Sequence, residues 1–239
     1  MSPIQALMVA THLNVGTVAR GTEAVSQTYR GSELGGEQSF RLCAGLGTFA
    51  SIYMKTRHLN KATRVLRFLP DVLTEWLIEY FVLIRPVETQ FSQLFYGQDT
   101  AYSYQRFMWM QQGCRVDSMV LSRGIGQIAN LVMGNQDPRY TVRFNLHMWR
   151  QVSKAILSGV VLREVPQIYN FTPVDDTHPA LHYGYGHSKA IGESRYGVDS
   201  AKFSAITEGQ TLAMQDLCQR YHAWCQVADI SNVSTYLSL

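Results

Sequence analysis

The sequence predicts a mainly α protein carrying one small antiparallel three-stranded sheet, an α+β class, on three observations. Long stretches repeat their apolar residues at steps of three and four, the period of a helix with one buried face. A single region, between Ser39 and Phe68, instead holds short runs of strand-forming residues separated by turn residues. Finally, 46% hydrophobic residues over 239 positions supply enough apolar surface for a sizeable core.

Taken in order, Ile4 to about Leu13 has helical periodicity, and Asn14-Val15-Gly16 breaks it. A second short helical stretch runs through Ala19-Arg20-Gly21-Thr22-Glu23-Ala24-Val25, which places Arg20 near a helix start. Strands are predicted at Ser39–Cys43, Phe49–Met54 and Thr63–Phe68, with Gly45-Leu46-Gly47 as the first turn and Lys55 at the tip of the second. Pro70 suits the first turn of a helix, and Val72, Leu73, Trp76, Leu77, Tyr80, Phe81 and Ile84 follow at helical steps until Pro86. The Trp76/Tyr80/Phe81 stripe reads as core.

Gln90 to Gln112 is mixed and partly helical, and Val116 to Met133 reads as a helix despite Gly124 and Gly126. After the turn at Gly134 to Pro138, Asn145 is placed to cap a helix running to about Ser158, with His147 and Arg150 in its first two turns. Three prolines and many polar residues make Val165 to Tyr185 a loop. A short helix is expected from Ser188 to about Tyr196, and a last one from about Lys202 to Val227, with Phe203, Ile206, Leu212, Leu217, Tyr221 and Trp224 on its apolar side.

Composition excludes several classes. Cys43, Cys114, Cys218 and Cys225 are scattered with no CxxC pair, which argues against a zinc site and a disulfide scaffold; Cys218 and Cys225, seven apart on a helical stretch, read as buried thiols. No apolar run approaches the roughly 20 residues of a membrane span, and Ser2 to Ala10 lacks the basic region of a signal peptide. An intracellular, reducing location is expected, nuclear if the source is eukaryotic. A net charge of +3 permits a polyanionic partner without demanding one.

Breaking a phosphodiester without a metal needs a nucleophile, positive charge on the non-bridging oxygens and a proton donor for the departing 5′ oxygen. Arginine suits the oxygens because its planar fork matches phosphate and stays charged. Lysine suits the leaving group, and a tyrosine phosphate ester conserves bond energy for rejoining. The chain offers candidates for each role in one order: Arg20 in Ala-Arg-Gly-Thr-Glu, Lys55 at a hairpin tip with Arg57, Lys61 and Arg64 close by, His147-Met148-Trp149-Arg150, Gly186-His187-Ser188, and Tyr196 nine residues after His187. His182, Tyr183 and Tyr185 compete nearby, but only His187 stands at that distance from Tyr196.

This order and these spacings resemble the tyrosine recombinase (phage integrase) superfamily, over residues 16 to 200. Gly186 to Gly197 looks like its histidine-to-tyrosine box, and Ala-Arg-Gly-Thr-Glu with Arg67-Phe68-Leu69-Pro70 looks like the eukaryotic, fungal Crypton-type branch. The resemblance implies the tyrosine recombinase catalytic-domain fold over residues 1–200, with 201–239 as a C-terminal helix and tail. In such enzymes that helix packs on a neighbouring subunit of a DNA-bound tetramer; an intramolecular core helix fits these residues equally well. It further implies that Arg20 and Arg150 clamp the phosphate with His187 donating to it, that His147 positions or deprotonates the nucleophile, that Lys55 protonates the 5′ oxygen, and that Tyr196 forms a 3′-phosphotyrosine. The implied partner is double-stranded DNA, with no cofactor and no metal, in recombination or integration of a mobile element. Only 19 residues precede Arg20, so the N-terminal core-binding domain is expected to be absent. A catalytically inactive DNA-binding module and a type IB topoisomerase-like activity are the alternatives.

Overall fold

Ser2 opens the first helix with a reciprocal cap, its hydroxyl accepting from the Gln5 backbone N–H at 3.4 Å while the Gln5 side-chain oxygen accepts from the Ser2 N–H at 3.2 Å. In the computed structural model, which describes residues 1–31, 38–43, 45–53, 63–134, 144–161, 163 and 208–225, this helix is α1 (Pro3–Asn14). It ends where Gly16 takes a φ of +68°, and the chain then enters the short α2 (Gly21–Val25).

The three-stranded antiparallel sheet follows as β1 (Phe40–Cys43), β2 (Leu46–Tyr53) and β3 (Thr63–Phe68), in that spatial order. Phe40 pairs with Phe49, and Thr48 with Phe68. The second strand starts earlier than the expected Phe49. Only Gly45 takes a turn conformation, at φ +82°, whereas Gly47 is extended and its N–H donates to Thr74 Oγ1 at 2.9 Å. A Cβ on Gly47 would stand 2.7 Å from that same oxygen, so the glycine marks a close approach of strand to helix and not a turn.

Next comes α3 (Asp71–Glu79), then a π turn at Tyr80–Ile84 that runs without a break into α4 (Arg85–Tyr96). The expected stop at Pro86 does not occur. The Arg85 N–H reaches back to the Tyr80 carbonyl, the wider π spacing just ahead of the proline, and Pro86 falls in the first turn of α4 where its missing N–H matters least. Trp76 is also corrected: it is 53% exposed, while Tyr80 is buried and Phe81 packs against the core. Thr74 is buried beside Leu73 and Leu77, which turns the inner face of α3 away from Trp76.

The mixed stretch resolves into α5 (Gln98–Arg106), which turns back along α4 after Gly97, and a two-stranded hairpin of β4 (Met110–Gln111) and β5 (Cys114–Arg115). Gln112 and Gly113, at φ +48° and +78°, form the tight turn between them. Then come α6 (Ser118–Gly134), α7 (Leu146–Ile156) with a terminal π turn at Leu157–Val161, and α8 (Glu208–Trp224). The glycines inside α6 are places of close approach: a Cβ would stand 2.7 Å from Val9 Cγ2 at Gly124 and 2.7 Å from the Phe144 carbonyl at Gly126. The loop expected at Val165–Tyr185, the helix at Ser188–Tyr196, and Phe203 and Ile206 lie outside the described residues.

Two apolar clusters hold these elements. One gathers Met8, Val9, Phe49, Leu77, Trp109 and Leu121, joining α1, the sheet, α3 and α6. The other gathers Val18, Phe68, Leu157, Met214, Leu217 and Tyr221, so α8 covers the outer strand of its own sheet. Trp149 of α7 packs against both. The described residues are mostly helical with a small antiparallel sheet, the α+β class that the sequence predicts. All four cysteines are free thiols; Cys218 is buried and its pKa is pushed up to about 11, chiefly by burial.

Candidate functional site

Arg20 stands at the N-cap of α2, in extended backbone, because the break at Asn14–Gly16 forces the chain to restart a helix there. Its backbone N–H donates to Glu23 Oε2 at 3.3 Å, so Glu23 fixes the start of the helix from three residues ahead. The same carboxylate oxygen lies 3.5 Å from Nη2 of Arg67, a β3 arginine that is only 3% exposed. Arg67 Nε donates to the Thr17 carbonyl at 2.7 Å and Nη1 to Ser51 Oγ at 2.5 Å. One buried guanidinium thus ties β3 to β2, to the loop before Arg20 and, through Glu23, to α2. Breaking a buried pair of this kind by removing one partner costs about 3–5 kcal/mol.

His147 and Arg150 come from α7. Asn145 caps that helix as expected, its side-chain oxygen accepting from the Met148 N–H at 2.9 Å. One turn apart, His147 is exposed and Arg150 half-buried. The Arg150 Nε is buried without a hydrogen-bond partner among the described residues.

The contact that joins the two segments is made by Gly21. A Cβ there would stand 2.8 Å from Leu146 Cδ2 and 2.8 Å from Ser118 Cβ, so the residue after Arg20 lies directly against the residue before His147. Behind them sits His12, buried in α1, whose pKa is lowered to about 3 by burial first and then by the Arg67 and Arg150 guanidiniums. His12 is therefore neutral at ordinary pH. The segment that carries Arg20 and the segment that carries His147 and Arg150 thus meet at Gly21 and Leu146, and Glu23 is the carboxylate engaged by the Arg20 backbone and by Arg67. The N-terminus of α7 adds the positive end of a helix dipole.

A small cavity of about 10 Å³ lies behind this region, lined in part by His12, Gln27, Arg67 and Trp109. It has room for about one water and none for a phosphate. Among the described residues no group of histidine, cysteine and carboxylate side chains is arranged to hold a metal ion, and no helix is long and apolar enough to cross a membrane. Lys55, His187 and Tyr196 lie outside the described residues, as do the competitors His182, Tyr183 and Tyr185.

Arg67 and His12 are the members of this region that sequence reasoning did not find. Arg67 belongs to a segment noted for its resemblance, but an arginine on a strand of a half-exposed sheet ordinarily points to water. Glu23 was the available signal: an acidic residue three positions into a helix commonly caps it, yet here it also serves an arginine far along the chain. Comparison with known proteins adds no relative: no protein-family model, no curated protein and no solved structure matches this chain.

Proposed function

We propose that this chain is a DNA breaking-and-rejoining enzyme of the tyrosine recombinase type, acting on double-stranded DNA without a metal. The observation that carries the reading is the packing of Gly21 on Leu146, which sets Arg20 beside the His147–Arg150 segment although the two are far apart in sequence. Two arginines and a helix N-terminus in one region suit an anion whose non-bridging oxygens need fixed positive charge. The sheet supports the same reading, since the β2–β3 connection that carries Lys55 springs from strands tied by Arg67 to the loop before Arg20.

In the proposed reaction the Tyr196 oxygen attacks the phosphorus, its proton passing to His147, and a 3′-phosphotyrosine bond forms as the P–O5′ bond breaks. Lys55 supplies the proton that the 5′ oxygen takes up. Arg20, Arg150 and His187 hold the phosphate oxygens as charge develops on them. Attack by a second 5′ hydroxyl reverses each step and rejoins the strand, the chemistry that recombination or integration of a mobile element uses.

The test is a covalent one. Incubation with a nicked duplex, in which the short fragment bearing the freed 5′ hydroxyl diffuses away after cleavage, is expected to leave a protein–DNA band on a denaturing gel. Tyr196→Phe and Arg150→Ala should abolish the band and Tyr185→Phe should keep it. A band undiminished in Tyr196→Phe overturns the assignment, and salt-dependent DNA binding with no adduct on any substrate would make the chain a non-cleaving DNA-binding module.

A further inference from the structure

The side of α4 that faces away from the core carries an uninterrupted apolar stripe. Ile84, Val87, Phe91 and Leu94 follow one another at steps of three, four and three, the spacing of a helix–helix seam, and Leu83 and Phe95 flank them. All six are exposed, Leu94 at 78% and Phe95 at 74%, and the Phe91 and Phe95 rings stack on each other with centroids 6.3 Å apart. The opposite side of the same helix is already used, by buried Arg85 and Ser92. The stripe is therefore a second apolar face and not a misplaced core.

We infer that this face pairs two copies of the chain about a two-fold axis, with α4 packed on α4. Its area is the first argument: the six side chains expose roughly 800 Å² of apolar surface, one partner's share of a standard stable interface and above the ~300–600 Å² of the largest patch on a typical monomer. Charge is the second. From Tyr80 to Gly97 the only charged residues are Arg85, which is buried, and Glu88, whose carboxylate accepts from the Tyr80 hydroxyl at 2.7 Å and lies 3.4 Å from Arg85 Nε. The stripe residues themselves carry no charge and the neighbouring Glu88 is paired within its own chain, which suits a self-complementary surface. A membrane surface fits less well, because helices that lie on lipid carry lysine and arginine along their polar face. The pairing is independent of the proposed reaction.

Sedimentation velocity on the full chain without DNA tests it. The wild type is expected to be dimeric by about 100 µM, and Phe91→Glu/Leu94→Glu to raise the dissociation constant by about 100-fold or more. That variant should keep the wild-type circular dichroism and melting temperature measured in dilute solution, because neither side chain touches the core. Met119→Glu/Leu131→Glu, which charges exposed apolar residues of α6, should remain dimeric. A wild type monomeric throughout this range overturns the inference, and so does a dimer unchanged in Phe91→Glu/Leu94→Glu. Co-sedimentation of a monomeric wild type with phosphatidylcholine/phosphatidylserine vesicles, lost in that variant, would assign the stripe to lipid instead.

Discussion

α4 and α8 both carry large apolar side chains at helical spacing, yet α8 buries Met214, Leu217, Cys218 and Tyr221 against β3 and the end of α7 while α4 turns Val87, Phe91, Leu94 and Phe95 to solvent. The polar contacts differ in the same way. Along α8, the Tyr221 hydroxyl donates to the Leu13 carbonyl at 2.9 Å, His222 Nε2 bonds the Asn14 carbonyl at 2.8 Å, and Cys218 Sγ reaches the Val15 carbonyl at 3.4 Å. These three contacts satisfy carbonyls at the end of α1 and just beyond it, which an α-helix leaves without internal partners. Among the described residues no comparable polar contact covers the stripe of α4. The lesson is that apolar periodicity announces a face to be covered, whereas the polar contacts around it reveal whether the cover is within the same chain.

The widest separation between the two helices is expected from truncation. Leu217→Ala should lower the unfolding free energy by about 2–5 kcal/mol, because it opens a cavity in a fully buried site. Leu94→Ala, in dilute solution, should change it by less than about 0.5 kcal/mol. Denaturant titrations giving equal losses would remove the distinction between the faces.

A smaller and pH-dependent difference follows from the buried histidines. Burial lowers the pKa of His222 to about 4, against the opposing effects of its bond to Asn14 and of Asp71, and that of His12 to about 3. Between these values and the ordinary 6.5, the unfolded chain binds protons that the native chain refuses. Stability is therefore full above about pH 6.5 and falls progressively as the pH drops toward 4. Melting temperature measured from pH 7 to 5 should decline, and less steeply in His222→Gln. Dimer dissociation should stay constant over the same window, since the stripe on α4 contains no titrating group. A dimer that dissociates in step with the fall in melting temperature would tie the two faces together.

The finest comparison is a single hydroxyl. Tyr221→Phe should cost about 1 kcal/mol by removing the bond to Leu13, whereas Tyr102→Phe on the exposed side of α5 should cost nothing measurable by thermal denaturation.

How far the candidate site could be read in advance depended on whether its determinants were local. The break at Asn14–Gly16, the Glu23 three residues after Arg20 and the Asn145 cap are each set by neighbours within a turn or so, and each stands where local reasoning places it. The burial of Arg67 needed Thr17, Ser51 and Glu23 to arrive from three other segments. Arg85 is similar: it is fully buried among the rings of Tyr29, Tyr80, Phe81 and Tyr104, with its guanidinium carbon 5.1–5.9 Å from their centroids, and it donates to the Met108 carbonyl. Nothing around Arg85 in the sequence marks it as a core residue, because its desolvation is offset by rings and a carboxylate assembled from α3 to α5.

By itself the sequence determined the class, the starts of α2, α3 and α7, the three strands and their antiparallel order, because caps, turn glycines and apolar periods act over a few residues. Only the tertiary structure decided that the chain passes helically through Pro86, that Trp76 faces water, that Gly21 brings Arg20 to the His147–Arg150 segment, and that α8 is covered while α4 is not. Those outcomes depend on which surfaces meet, and the free energy of burial belongs to pairs of surfaces that no local pattern specifies.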